Sequence, residues 1–124
     1  MTSQAPRVAV VDDDQSVRES LPDLLKALGM VAHAFASAEA FLSSGIAATA
    51  DCLILDIAMP GMSGVELYAQ LRAQQQKVPV IFVTATTDDG LRQRLLDQGA
   101  VDCLFKPFTE AQLITALDSA LRRR

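Results

Sequence analysis

Four short stretches of this chain carry side chains suited to moving a phosphoryl group. Asp12, Asp13 and Asp14 follow one apolar run, Asp56 a second, Thr84 a third and Lys106 a fourth. Carboxylates held close together repel one another and demand a cation. Hard oxygen donors without His or Cys favour Mg2+, with Mn2+ as the alternative, over Zn2+. An Asp carboxylate can itself act as a nucleophile and form an acyl phosphate. A lysine ammonium then offsets charge on the oxygens of the transferring group, and a threonine hydroxyl adds a donor. Singly, each residue has a plainer explanation as a turn, cap, strand or surface residue. Together, on the ends of four strands, they are better explained by a shared site.

Such a site needs a fold that gathers strand ends. The runs at 8–11, 53–55 and 80–83 are continuously apolar, as in parallel strands buried on both faces, and weaker runs at 31–35 and 101–105 fit strands nearer an edge. Val17, Leu21, Leu24, Leu25 and Leu28 recur at three- and four-residue steps and Gly29 stops them, which predicts a first helix. Gly45 and Gly99 end the second and fourth helices in the same way. Ser16 with Glu19, Ser63 with Glu66, and Thr109 with Gln112 have capping-box spacing and predict three helix starts. Strands alternating with helices predict an α/β fold, with a parallel sheet, right-handed crossovers and helices on both faces. Ligands of such sheets sit at the carboxyl ends of the strands. Strand order does not follow from alternation; if the first and third strands are neighbours, Asp12, Asp13 and Asp56 converge.

The composition fits one domain spanning residues 1–124. Half of the 124 residues are hydrophobic and 21% are charged, a globular balance that allows a packed core. With 11 basic and 15 acidic residues the net charge is −4, which disfavours direct contact with nucleic acid. No apolar stretch approaches the roughly 18–20 residues that span a bilayer, and the first six residues lack a signal pattern, so a cytoplasmic protein is expected. Cys52 and Cys103 have neither the number nor the spacing of a disulfide scaffold or zinc site, and buried free thiols are expected. His33 falls in the second strand, away from the acids, and reads as structural. Arg122, Arg123 and Arg124 suit a helix C-terminus, or equally the start of a linker.

At this point the residues resemble a known family. Val10-Val11-Asp12-Asp13-Asp14, the stretch from Leu55-Asp56 through Ala58-Met59-Pro60-Gly61 to Ser63-Gly64, Val83-Thr84-Ala85 and Phe105-Lys106-Pro107-Phe108 look like the ordered motifs of response-regulator receiver domains. The resemblance covers about 7–121. It implies the CheY-like, flavodoxin-like fold, a doubly wound five-stranded parallel sheet in the order 2-1-3-4-5. It further implies that Asp56 accepts a phosphoryl group from the histidine of a sensor kinase or phosphotransfer protein. By the same resemblance Asp12, Asp13, Asp56 and the Ala58 backbone carbonyl hold Mg2+, Thr84 swings toward the acyl phosphate, and Lys106 binds one of its oxygens. The Lys106–Pro107 peptide is implied to be cis. Such a domain is no ordinary enzyme, since it catalyses only its own phosphorylation and dephosphorylation.

One departure stands out. The family's switch position, three residues before the lysine, is usually aromatic, and here it is Cys103. A thiol has too little volume to swap between inside and outside, so output through backbone and helix shifts is expected. Ala58 and Thr86, two residues beyond Asp56 and Thr84, carry neither a carboxylate nor an amide to orient water, which implies a long-lived phosphoryl group.

Two other classes use related parts. An aspartyl-phosphate phosphatase of the haloacid-dehalogenase kind needs a second Asp where this chain has Ala58. A flavodoxin-like electron carrier needs a first loop rich in hydroxyls and glycine, where this chain has three acids. Within the receiver reading, the wording of 59–67 and 100–108 looks closest to FixJ-type regulators, whose receiver precedes a DNA-binding domain. That leaves a stand-alone receiver or an excised one with a fused output domain or separate output partner, monomeric when unphosphorylated. Phosphorylation of the excised kind would favour pairing through the fourth helix, fifth strand and fifth helix.

Overall fold

Alternate residues along each strand face opposite sides of the sheet, and different helices cover the two sides. The computed structural model describes residues 5–123. Its elements in chain order are β1 (Arg7–Val11), α1 (Gln15–Ala27), β2 (Val31–Phe35), α2 (Ala38–Ser44), β3 (Cys52–Asp56), α3 (Gly64–Ala73), β4 (Val80–Thr84), α4 (Asp89–Asp97), β5 (Asp102–Phe105) and α5 (Glu110–Arg123). All strand pairs are parallel, in the order β2-β1-β3-β4-β5, so the two weaker runs form the edges. The doubly wound architecture is the expected one.

Val8, Val10, Ile54, Ile81, Val83 and Leu104 pack with Leu21 and Leu25 of α1 and Leu113 and Leu117 of α5. Ala9, Val11, Leu53, Leu55, Phe82 and Cys103 pack on the other side with Phe41 of α2, Leu67 and Leu71 of α3 and Leu95 of α4. β1, β3 and β4 are therefore buried on both faces, which explains their unbroken apolar runs. Cys52 belongs to the first cluster and Cys103 to the second, so the two free, buried thiols lie on opposite sides of the sheet. His33 pairs in register with Ala9 on β2.

Several boundaries shift from the sequence expectation. β3 and β4 each run one residue further, through Asp56 and Thr84, while Val101 precedes β5 and its N–H donates to the Val80 carbonyl. A turn of 3₁₀ helix follows α2 at Ile46–Ala48. The Ser63–Glu66 capping box is formed, and Thr109 and Gln112 exchange the same pair of bonds at 2.8 and 3.0 Å. The Ser16–Glu19 box is not. Asp14 caps α1 instead, its carboxylate accepting from both the N–H and the hydroxyl of Ser16, and Glu19 accepts from the Gln15 amide. Gly29, Gly45 and Gly99 stand at the three expected helix ends with positive φ. Arg122 and Arg123 close α5; Arg124, and the first four residues, lie outside the described residues.

Candidate phosphoacceptor site

Parallel strands place their carboxyl ends on one rim, and every chemical residue singled out in the sequence stands there. β1 leads into Asp12 and Asp13, β3 ends on Asp56, β4 ends on Thr84, and Lys106 follows β5. Because β1 and β3 are neighbours, Asp12, Asp13 and Asp56 bring carboxylate oxygens within 4.8 Å of one another. Asp12 and Asp56 are buried and Asp13 is exposed at the mouth.

Lys106 Nζ donates to Asp12 Oδ2 at 2.9 Å and stands 3.7 Å from Asp56 Oδ1. The other Asp12 oxygen accepts from the Asp14 N–H at 2.9 Å. Asp56 has no such relief. Burial, the neighbouring Asp12 charge and, more weakly, Asp13 push its carboxyl up to about 7, against the opposing pull of Lys106. The ammonium is held above its ordinary value: burial works to lower it, but the bond to Asp12 and the charges of Asp12 and Asp56 outweigh that. One ammonium thus serves three carboxylates, and the pocket is short of positive charge. A hard divalent cation fits this all-oxygen set.

Thr84 is buried at the end of β4, and its Oγ1 accepts from the Thr86 N–H at 3.1 Å. Ala58 is exposed on the loop after β3, and the Lys106–Pro107 peptide is cis. That loop is tightly constrained. A Cβ on Gly64 would collide with the Asp56 carbonyl oxygen, so the start of α3 sits directly against the end of β3. Gly61 adopts φ +74, and a Cβ there would meet Glu39 Oε2 at 2.9 Å.

Three supporting residues have no signal in the sequence. Arg18, on α1, donates through Nη1 to the Asp12 backbone carbonyl at 3.1 Å and so braces the acidic loop. Glu39, on α2, accepts from the Met62 N–H at 3.1 Å and holds the loop after β3. Arg92, on α4, donates through Nε to the Cys103 carbonyl at 3.1 Å and through Nη2 to Asp102 Oδ1 at 2.9 Å. Of these only Arg18, one turn past the acids, lies near a residue the sequence marks out. Cys103 itself is buried, with its thiol in the cluster beneath α2, α3 and α4. Among the described residues, no helix is long and apolar enough to cross a membrane.

Comparison with known proteins agrees with this geometry. A family model described as the response regulator receiver domain matches residues 8–118. The response regulator protein TodT of Pseudomonas putida is 35% identical over 122 residues, covering 98% of this chain and 54% of TodT. The transcriptional regulatory protein FixJ of Azorhizobium caulinodans is 40% identical over 116 residues, covering 94% of this chain and 55% of FixJ. The chain spans about half the length of the curated relatives it matches. Among solved structures, FixJ-N superposes with a TM-score of 0.86 at 35% identity, covering 98% of each chain. The response regulator StyR superposes with a TM-score of 0.89 at 42% identity, covering 96% of this chain and 60% of StyR. An acidic pocket at the carboxyl ends of a 2-1-3-4-5 parallel sheet, in a sequence that matches the family nearly end to end, makes this chain a member of the response regulator receiver domains of two-component signalling.

Proposed function

We propose that Asp56 is the phosphoacceptor, taking its phosphoryl group from a phosphohistidine on a sensor kinase or a histidine phosphotransfer protein. The observation that carries this reading is the position of Asp56, buried at the end of β3 beside Asp12 and Asp13 with Lys106 3.7 Å away. An Asp56 carboxylate oxygen attacks phosphorus while the P–N bond breaks, and its electron pair stays with the imidazole, which takes up a proton. Lys106 leaves Asp12 to pair with a phosphoryl oxygen, and the Thr84 hydroxyl turns from Thr86 to donate to another. Asp12, Asp13, Asp56 and the Ala58 carbonyl would hold Mg2+, or Mn2+. The metal supplies positive charge that screens the carboxylates and the transferring oxygens.

The chain catalyses only its own phosphorylation and dephosphorylation. Neither Ala58 nor Thr86 carries a carboxylate or amide to orient water, and the acyl phosphate is long-lived. Phosphorylation shifts an equilibrium between two conformations, which an output partner or fused domain reads. The domain is a single unit over 1–124 with its core at 7–121, cytoplasmic, free of direct nucleic-acid or membrane contact, and monomeric until phosphorylated. The length of its relatives favours a second reading in which it is the receiver of a DNA-binding regulator and pairs through α4, β5 and α5 when phosphorylated.

The test is intact mass after incubation with a small-molecule phosphodonor, with and without Mg2+, on the wild type and Asp56→Asn. A Mg2+-dependent phosphoryl adduct absent from the variant is expected. An adduct that survives the substitution would overturn the assignment of Asp56.

A further inference from the structure

The pole opposite the phosphoacceptor carries its own charged cleft. It has a volume of about 550 Å³ and opens where α3, α4 and α5 end and β4 begins. Val78, Pro79 and the Tyr68 ring contribute apolar surface, and Arg72, Lys77 and Arg123 contribute three cations. Among the described residues, no carboxylate lines it, in a chain whose net charge is −4. Thr84, at the other end of β4, lies five steps beyond the lining residue Pro79, a span of roughly 16 Å at strand rise.

The plainest role for these cations is to offset the carbonyl ends of the helices. Arg123 does so, donating through Nη1 to the Gly99 carbonyl at 3.1 Å. Three helix C-termini together bring roughly −1.5 elementary charges, about half of what three cations supply. The surplus is unspent. Among the described residues, the Arg72 side chain makes no hydrogen bond or ion pair and only stacks over Tyr68, 5.6 Å from the ring centroid, which leaves its donor fork free. Lys77 has no partner at all among them. Tyr68 is itself anchored, its hydroxyl donating to the Gln98 carbonyl at 3.2 Å, so the stacked guanidinium rests on a fixed ring.

We propose that this cleft docks an acidic peptide segment of a partner protein, with carboxylates on Arg72 and Lys77 and an apolar side chain against Val78, Pro79 and Tyr68. A carboxylate matches the planar fork of a stacked arginine. The cleft is open, whereas small-molecule sites enclose most of their ligand, so an occupant needs a body of its own to cover it. Nucleic acid, whose charge extends well past the cleft, meets more of the net negative surface than a short peptide confined to it. The interaction stands apart from the phosphoryl chemistry and does not require it.

The experiment is an amide chemical-shift titration of the isotope-labelled chain, at low salt, with a short peptide of alternating Glu and Leu and with its Gln counterpart. Saturable shifts are expected at residues 75–80 and 98–100 with the Glu peptide and not with the Gln peptide. Arg72→Gln combined with Lys77→Gln should weaken binding at least about fivefold, the loss expected for roughly two exposed ion pairs. Lys77→Gln alone, which removes no hydrogen bond or ion pair among the described residues, should give a smaller loss in the same direction. Absence of shifts, or shifts indifferent to these substitutions, would overturn the proposal. An equal response at the same residues to citrate or inorganic phosphate would replace the peptide by a small anion, and an equal response to a DNA duplex would replace it by nucleic acid.

Discussion

Lys106 donates its ammonium to Asp12, 94 residues earlier in the chain, at 2.9 Å, and not to Asp56, which it approaches only to 3.7 Å. The resting lysine is thus occupied by a neighbouring acid and must change partner to serve an acyl phosphate. The arrangement leaves Asp56 the less compensated of the two buried acids in the pocket.

Removing that charge should stabilise the metal-free protein. We predict that Asp56→Asn raises the melting temperature in chelator by several degrees, about 1–2 kcal/mol of stability. The gain should shrink when Mg2+ is added, because only the wild type keeps the full ligand set. In chelator the wild type should also lose stability as pH rises from about 4 toward 7. The folded carboxyl, at about 7, holds a proton that the unfolded one has already released above 3.8. Equal melting curves for the two proteins in chelator would refute this account.

Glu39 acts on the site from α2, through the loop after β3. Glu39→Ala removes the acceptor of the Met62 N–H and frees the loop that carries Ala58. Mg2+ affinity should fall severalfold, and stability by about 0.5–1 kcal/mol. Glu39→Gln keeps an acceptor oxygen and should restore most of both. A Mg2+ titration that cannot distinguish Glu39→Ala from the wild type would show that the loop holds itself.

Acid should weaken two helix starts. The bonds from Ser63 hold the Glu66 carboxyl below its ordinary value, and those from Ser16 do the same for Asp14. Each contributes stability above its unfolded value, 4.5 for Glu66 and 3.8 for Asp14, and loses it as pH falls through the lower folded value. Glu66→Gln keeps the hydrogen bond to Ser63 but not the charge at the start of α3. Melting curves should place the wild type above this variant near neutrality and bring the two together in acid; a gap independent of pH would contradict the assignment.

The thiols should be silent in the folded protein. Burial pushes Cys52 up to about 12 and raises Cys103 as well, so neither presents a thiolate near pH 8. A thiol-specific reagent should label neither in the native state and both in strong denaturant. Because they face opposite sides of the sheet, mild oxidation should yield no internal disulfide by mass. Rapid labelling of the native chain would mean that β3 or β5 opens locally.

Much of the fold was legible because it rests on local rules. The unbroken apolar runs of β1, β3 and β4 follow from burial on both faces, and Gly29, Gly45 and Gly99 mark helix ends through a backbone conformation that glycine tolerates. Strand order was not legible from pattern and came only with the family resemblance. The start of α1 misled because Asp14 and Ser16 are both good caps two residues apart, and the carboxylate, able to accept twice, prevails. In the site, the acids, the threonine and the lysine announce themselves by lying at strand ends. Glu39 and Arg18 act through single bonds to backbone atoms on other segments, and Arg92 through one backbone bond and one ion pair; nothing in residue type marks an arginine or glutamate for that task.

The Arg92–Asp102 pair has a consequence for how copies of the chain meet. β5 is an edge strand, and Cys103 would present an unpaired N–H and C=O on its outer side. Asp102 Oδ1 accepts from that N–H at 2.7 Å, and Arg92 donates to that carbonyl. An extended segment approaching this edge finds the middle rung already taken, which guards against edge-to-edge sheet growth. Any association across α4, β5 and α5 is therefore made by side chains, whose sequence can choose a partner, and not by a backbone ladder that would accept any strand.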